Sequence, residues 1–298
     1  MGKLIKLNPF ISETVWGGSR LARAKGINST NPVGETWEVS TLSQGSSKVG
    51  DIDLSTLCSL KYLVKFIDTA ANLSIQVHPD DEYARIHENA SGKTECWIIL
   101  DANPGAGIYL GFKKGVTKKE FFNAVASGLA VDKFLNFIEV NSGDFFYIPP
   151  GTVHAIGSGI TVCEAQQSSG ITYRVWDWNR MGLDGNPREL HIDKARDVLN
   201  FSEDFNQKLL TTSKSHLFES EEIITLAKHK DFQVELINYP AGKKFSLKLN
   251  DKDAIVVLRG SLGDLKTYES ALVLEESTFS FESVSPVSFL VVSGVNCP

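Results

Sequence analysis

Residues 143–154 read GDFFYIPPGTVH, a short apolar run followed by a Pro-Pro-Gly turn and a histidine. Proline rings fix the backbone φ angle, so this turn is rigid and sets the direction in which His154 points. Strand-like segments punctuated by glycine and proline surround it, from residue 138 to residue 178. The stretch therefore predicts a mainly β chain in which His154 lies at a strand end.

Two earlier segments carry further candidate ligands at strand spacing. Gln76 and His78 stand two positions apart, as do Lys93 and Glu95, and residues i and i+2 of a strand face the same way. Together with His154 they offer two imidazoles, a carboxylate and an amide oxygen to a divalent metal. Zinc accepts a His/His/Glu set and keeps one position open when it is catalytic. Manganese and iron also suit this set, so the pattern leaves the metal open.

Composition describes an ordinary globular chain. Its 298 residues suffice for a sizeable core and for more than one domain, with 42% hydrophobic and 22% charged residues. A formal net charge of −6 argues against a general affinity for nucleic acid, so an anionic substrate needs a local basic pocket. The start of the chain lacks the apolar run of a signal peptide, and no segment approaches a membrane span. We therefore expect a cytoplasmic protein without nucleic-acid or membrane partners.

The cysteines show no paired spacing. There are four of them and no CxxC motif, which favours reduced thiols in a cytoplasmic chain over disulfides. They are Cys58, Cys96, Cys163 and Cys297.

Periodicity predicts short strands and a few helices in the first two thirds of the chain. The predicted strands are residues 34–40, 62–67, 73–77 and 96–100. A short helix is expected after Pro79, with Asp80 or Asp81 as its cap, and another at 193–199.

The clearest helical region begins at Thr117. Thr117 and Glu120 have the spacing of a capping box, and an apolar face at helical spacing follows. We predict that Gly128 interrupts this helix and that a second helical turn or two runs over 131–137. The residues of the predicted face are Phe121, Phe122, Val125 and Leu129.

The last third follows a polar stretch, residues 202–222, and is strand-like. The predicted strands are 232–237, 244–249, 254–259 and 289–292, spaced as in sandwiches and barrels. We predict two β-barrels, with helices inserted in the first. Residues 1–205 form a catalytic metal-binding domain with a helical insertion at 115–137, and residues 206–298 form a second barrel. No histidine follows His229, so the second barrel is expected to hold no metal and to serve packing or oligomerisation.

Four motifs resemble those of a known family. Gly143-Asp144, four residues, Pro149, four residues and His154 resemble the second motif of the cupin barrels. Within cupins, the segments QVHPDDEYA (76–84), GKTECW (92–97) and PPGTVHA (149–155) are similar to type I mannose-6-phosphate isomerases. TYRVWDW (172–178) resembles the short bacterial branch. The resemblance covers residues 8–200 by motif and the remainder by architecture. It implies a mainly β fold of two cupin-like (jelly-roll) barrels.

The resemblance implies a zinc-dependent aldose–ketose isomerase that interconverts mannose 6-phosphate and fructose 6-phosphate through an enediol. We expect the chain to be a monomer or a homodimer. The resemblance implies one Zn²⁺ per chain, with His78, Glu95, His154 and Gln76 as the matching ligands. It also implies Arg174 as the active-site arginine and Lys93 as a pocket acid/base.

Other roles stay open for several of these residues. A lysine beside a cation and partly desolvated has a lowered pKa and can transfer protons, but Lys93 can equally be a permanently charged phosphate partner. Arg174 suits a bidentate contact to phosphate or enediolate, with a surface salt bridge as its alternative. Trp16 and Glu164 line the sugar pocket or serve the core. Gln76 ligates the metal or satisfies neighbouring backbone groups.

Two other functions fit the metal pattern. Another metal-dependent cupin enzyme, such as an oxygenase, would use redox-active iron. A sugar-phosphate-binding regulator without turnover would dispense with catalytic side chains, whereas Lys93 and Arg174 are both present. The isomerase is therefore the favoured reading.

Overall fold

The computed structural model describes residues 3–219 and 223–294. Its strands are β1 (Leu4–Lys6), β2 (Phe10–Gly18), β3 (Val33–Val39), β4 (Thr41–Leu42), β5 (Gly45–Ser46), β6 (Lys48–Val49), β7 (Ile52–Asp53), β8 (Tyr62–Asp68), β9 (Ile75–Val77), β10 (Glu95–Ala102), β11 (Gly107–Phe112), β12 (Leu135–Glu139), β13 (Phe145–Ile148), β14 (His154–Ile156), β15 (Ile160–Gln167), β16 (Tyr173–Trp176), β17 (Ile223–Lys228), β18 (Phe232–Tyr239), β19 (Lys244–Leu249), β20 (Ala254–Arg259), β21 (Ser261–Leu262), β22 (Leu265–Lys266), β23 (Ser270–Val273), β24 (Ser277–Glu282) and β25 (Val287–Gly294). Its helices are α1 (Arg20–Lys25), α2 (Leu54–Leu57), α3 (Asp81–His87), α4 (Lys118–Ala126), α5 (Ile192–Val198) and α6 (Glu203–Thr211), with a 3-10 turn at Asp132–Phe134. The predicted mainly β class is confirmed.

The N-terminal barrel consists of two facing sheets. One is six-stranded, in the order β13-β10-β15-β8-β3-β2, and the other is five-stranded, in the order β12-β11-β14-β9-β16. Alternate side chains of both sheets point into the barrel and form a buried core that includes Trp97, Ile99, Leu110 and Ile156. The predicted ligands lie on these inner faces.

The C-terminal part is a second β unit. Its six-stranded sheet has the order β1-β23-β20-β25-β18-β17, and β19 pairs with β24. Strand β1, although first in the chain, belongs to this C-terminal sheet. It pairs with β23, with Leu4 opposite Val273. The predicted division between residues 205 and 206 stays a prediction, with this strand crossing it.

The two six-stranded sheets pack against each other through a shared core. Cys96 and Ile98 of β10 contribute to the same buried cluster as Val234 and Leu236 of β18. Cys96 points away from the side of its strand that carries Glu95, as alternation requires. The C-terminal sheet thus supports the strand that presents the candidate carboxylate ligand.

Helices α4 and α5 pack on the outer face of the five-stranded sheet, with Phe121 and Ala195 in one buried cluster. The capping box of Thr117 and Glu120 is present, and α4 ends at Ala126. The prediction that Leu129 continues the apolar face is wrong: Leu129 is 52% exposed, because the helix has ended before Gly128, which adopts φ +65°.

Two further element predictions need correction. Residues 131–137 contain one 3-10 turn, Asp132–Phe134, and then enter β12 instead of a second helix, because Phe137 and Ile138 pair with β11. The polar stretch 202–222 contains α6, whose Ser202 side chain accepts a hydrogen bond from the Phe205 N–H as an N-cap. The cap expected after Pro79 is Asp80, which accepts from the Tyr83 N–H.

Cys58, Cys96 and Cys163 are free thiols, and Cys297 lies outside the described residues. Within the described ranges, every helix is too short or too polar to cross a membrane.

Candidate active site

Three predicted ligands converge inside the N-terminal barrel. Glu95 opens β10 of the six-stranded sheet, while His154 opens β14 of the five-stranded sheet and His78 directly follows β9. Glu95 Oε2 lies 3.4 Å from His78 Nε2, and Glu95 Oε1 lies 3.3 Å from His154 Nε2. All three side chains are buried. Their potential ligand atoms form one compact group, lying within 4.8 Å of one another.

Backbone carbonyls orient the two imidazoles. His78 Nδ1 lies 2.9 Å from the Ile171 carbonyl oxygen, and His154 Nδ1 lies 3.0 Å from that of Thr152. A carbonyl only accepts, so each Nδ1 carries the proton and each Nε2 lone pair faces Glu95. Burial, reinforced by Lys93, lowers the pKa of His78 to about 3, and burial also lowers the pKa of His154. Both rings are therefore in the neutral form that binds metals.

The Glu95 carboxylate is charged and poorly satisfied. Burial opposes ionisation, but the charge of Lys93 holds the pKa of Glu95 well below its usual value. Lys93 Nζ lies 2.8 Å from Oε2 as an ion-pair contact, yet neither carboxylate oxygen accepts a hydrogen bond of good geometry. A buried carboxylate left in this state is costly. The donor set fits a divalent cation, which would satisfy both the carboxylate and the two Nε2 lone pairs.

Gln76 lies beside the cluster, and its amide nitrogen is the atom that contacts His154. Its Nε2 is 3.3 Å from His154 Nε2, and its Oε1 accepts a hydrogen bond of 3.2 Å from the Ser74 hydroxyl. Ligation through oxygen requires the amide to turn over, an exchange that swaps two atoms of nearly equal size. Direct ligation by Gln76 stays a prediction.

Lys93 is buried at the centre of the charged groups. Its Nζ lies 3.2 Å from His78 Nε2 and 3.9 Å from Glu164 Oε1. Burial favours the neutral amine, but Glu95 and Glu164 outweigh it and raise the pKa of Lys93. The sequence predicted a lowered pKa for a lysine beside a cation. The pKa of Lys93 is raised instead, because the charges of the neighbouring carboxylates outweigh its burial.

Arg174 lies on the inner face of the five-stranded sheet, where it is directly opposite Gln76. Its Nη1 donates to the Glu189 carbonyl oxygen at 2.9 Å, while its Nε is buried without a hydrogen-bond partner. It lines a cavity that also contains His154 and Lys93. The guanidinium therefore has donor capacity available toward this cavity.

Trp16 and Glu164 line the same cavity, and both are buried. Glu164 Oε2 accepts a 2.9 Å hydrogen bond from the Trp97 indole N–H, and burial together with Glu95 raises the pKa of Glu164. Their sugar-binding roles stay predictions, although their location is compatible with them.

The cavity is also lined by two basic residues that no sequence pattern predicted, Lys65 and Arg188. Lys65 is a charged residue in the otherwise apolar strand YLVKFID, and this interruption was a usable signal. Arg188 lies in an irregular loop, where it contacts Asp177 at 2.6 Å, and no periodicity marks it. With Lys93 and Arg174 they outnumber the two acidic lining residues, Glu35 and Glu164, which leaves a local positive excess for an anionic substrate in an acidic chain.

Fold and cluster together define a cupin-like barrel protein with a candidate metal site. No protein-family model matches the chain. The probable mannose-6-phosphate isomerase GmuF of Bacillus subtilis strain 168 is 41% identical over 213 residues, covering 65% of this chain and 67% of that protein. The mannose-6-phosphate isomerase of Streptococcus mutans is 37% identical over 225 residues, covering 69% and 71%.

Solved structures agree with these relatives. The mannose 6-phosphate isomerase from Bacillus subtilis has a TM-score of 0.79 at 27% identity, covering 97% of this chain and 99% of that one. A putative mannosephosphate isomerase from Archaeoglobus fulgidus has a TM-score of 0.77 at 21% identity over 99% of both chains, a likeness of fold. The chain belongs to the mannose-6-phosphate isomerase family of enzymes, which removes the support for a regulator without turnover.

Proposed function

We propose that the chain interconverts D-mannose 6-phosphate and D-fructose 6-phosphate through an enediol, with one zinc ion held by His78, Glu95 and His154 and assisted by Gln76. The observation that carries this proposal is the Glu95 carboxylate, which is buried without a hydrogen bond between two neutral imidazoles whose Nε2 atoms lie 3.3 and 3.4 Å from it. Zinc is favoured because this family resemblance accompanies a His/His/Glu set.

The reaction requires a proton to move between C1 and C2 of the open-chain sugar, while negative charge develops on the adjacent oxygens. A bound cation supplies Lewis-acid stabilisation of that charge, typically the largest catalytic contribution. We assign the proton transfer to Lys93, whose Nζ is buried and borders the cavity. A cation held by Glu95 would offset the carboxylate charge, which is the main influence that raises the pKa of Lys93.

Arg174 is assigned to the anionic end of the substrate. Its guanidinium lines the cavity with an unpartnered Nε, and the planar fork matches phosphate or enediolate oxygens in a bidentate manner. Trp16 provides an apolar wall, and Glu164 a hydrogen-bond acceptor for sugar hydroxyls.

A coupled assay of mannose 6-phosphate conversion tests this function before chelation, after chelation and after zinc is added back. We expect chelation to abolish activity and zinc to restore it. Glu95→Gln should retain neither stoichiometric zinc nor activity, whereas Glu82→Gln, a change at an exposed position of α3, should behave as the unmodified chain. Full activity in a preparation shown by elemental analysis to be metal-free would refute the metal role.

A further inference from the structure

Gln167 makes an unusually complete set of side-chain hydrogen bonds behind the candidate metal cluster. It is the last residue of β15 and is 1% exposed. Its Oε1 accepts from the Thr94 N–H at 2.8 Å. Its Nε2 donates to Asp81 Oδ1 at 3.1 Å and to Asp231 Oδ2 at 2.8 Å. Both amide hydrogens and the oxygen are thus engaged, which fixes the amide orientation.

The hydrogen bond between Gln167 and Thr94 holds the backbone of the candidate active site. Thr94 stands between Lys93 and Glu95, and its carbonyl also accepts from the Gln167 backbone N–H at 3.0 Å. On the other side, Gly92 N–H donates to Asp81 Oδ1 at 2.9 Å. A Cβ at Gly92 would lie 2.5 Å from the Asp80 carbonyl carbon, so this backbone approach is very close. The segment that carries the lysine and the carboxylate is held from both sides.

The hydrogen bond between Gln167 and Asp231 links the site to the C-terminal unit. Asp231 lies in the turn between β17 and β18, and the adjacent Lys230 places Nζ 2.8 Å from Asp81 Oδ2. The carboxylates of Asp81 and Asp231, which form a group with His229, are therefore matched by the Gln167 amide and the Lys230 ammonium. We interpret this group as a polar link between the two units.

We propose that Gln167 is a positioning residue through which the 229–231 turn of the C-terminal unit sets the location of Lys93 and Glu95. The proposal rests on the proposed function for what those two side chains do. The Gln167 amide spans Thr94 and Asp231. Loss of the Asp231 contact leaves the amide held by Asp81 and Thr94 alone, which weakens the restraint on the backbone between Lys93 and Glu95. Displacements of about 1 Å at a reacting site cost on the order of 100-fold in rate.

The test compares Asp231→Ala and Gln167→Met with Tyr62→Phe. Tyr62 is a matched control, since its hydroxyl donates to the Lys252 carbonyl oxygen across the same two units at 2.7 Å. Removing that hydroxyl leaves the three side-chain hydrogen bonds of Gln167 in place. Asp231→Asn retains an acceptor for the Gln167 amide and should rescue. Asp231 lies in a partly exposed turn, so its variants remain informative if Gln167→Met does not fold.

Three measurements are needed. In Asp231→Ala we expect kcat to fall about tenfold or more with KM within about twofold, and zinc affinity in a chelator competition to fall about tenfold. Hydrogen exchange of the Thr94 amide in the metal-free protein should accelerate. Tyr62→Phe should lower the melting temperature without these changes.

The proposal is overturned if Asp231→Ala keeps kcat, zinc affinity and Thr94 protection while losing stability as Tyr62→Phe does. It is also overturned if Asp231→Asn fails to rescue a defect of Asp231→Ala. Should the unmodified protein bind no zinc, the metal part of the proposed function fails, and kcat together with Thr94 exchange still decides the coupling.

Discussion

Glu95 Oε1 lies 3.3 Å from His154 Nε2, although the two residues open strands in different sheets of the N-terminal barrel. The contact therefore spans the interior of the barrel. Its length depends on how the two sheets pack, and the packing is supported on the outside by the C-terminal sheet through Cys96 and its neighbours. Substitutions can consequently disturb the cluster either at the ligands or through the support behind β10.

Replacement of Lys93 by alanine should lower kcat by about 100-fold or more, since general acid–base catalysis contributes on the order of 10²–10⁴. KM should change little if the amine carries the proton. Steady-state kinetics on both sugar phosphates separates the two parameters. Lys119→Ala, at an exposed position of α4, is the control. A rise in KM with unchanged kcat would assign Lys93 to phosphate binding instead.

Replacement of Arg174 by lysine should raise KM about tenfold, because the ammonium keeps the charge but loses the bidentate fork. Arg196→Lys, on the exposed side of α5, should leave KM unaltered. Inorganic phosphate, tested as a competitive inhibitor, should lose affinity in the Arg174 variant in parallel. If KM and phosphate inhibition both stay at their original values, Arg174 does not contact the anionic group.

Acid should destabilise the metal-free chain partly through His229. Burial lowers the pKa of His229, against the opposing effect of Asp231, and its Nδ1 accepts a hydrogen bond from the Asp231 N–H. The unfolded chain therefore takes up this proton first, so the stability contribution is complete above the unfolded pKa of about 6.5 and is lost as pH falls below it.

Urea denaturation at pH 7.5 and pH 5.5 checks this sign. The stability difference between the unmodified chain and His229→Gln should shrink at the lower pH. His216→Gln serves as the contrast, since Glu219 raises the pKa of the exposed His216. An unchanged difference for His229→Gln at the two pH values would exclude the titration of this side chain.

Replacement of Phe121 by alanine should lower the free energy of unfolding by about 3–5 kcal/mol, because the fully buried ring packs against Phe112 and Phe134 and its loss leaves a cavity. Leu129→Ala should change it by less than about 0.5 kcal/mol, since Leu129 is largely exposed. Chemical denaturation of both variants distinguishes the true core face from the face expected by helical spacing. Equal losses in the two would contradict this assignment.

Much of the architecture was readable from local patterns. The predicted strands at residues 244–249 and 254–259 have the bounds of β19 and β20, because alternation and flanking turns are properties of short windows. The capping box at Thr117 was likewise local. By contrast, β12 replaced an expected helix because its partner β11 is distant in sequence. Helix α6 was obscured by its polar composition, although Ser202, Phe205 and Leu209 carry cap and helical spacing.

In the candidate site, too, local sequence patterns predicted some features and only long-range packing decided the others. Residue types with period-two spacing identified His78, Lys93 and Glu95, because side-chain alternation in a strand is independent of the rest of the fold. The rigid Pro-Pro-Gly turn, another local signal, identified His154. The facing of two sheets follows from burial of their apolar sides and involves residues far apart in the chain. This long-range packing placed the imidazoles against the carboxylate, brought Lys65 and Arg188 to the cavity, and joined Gln167 to Asp231 of the second unit.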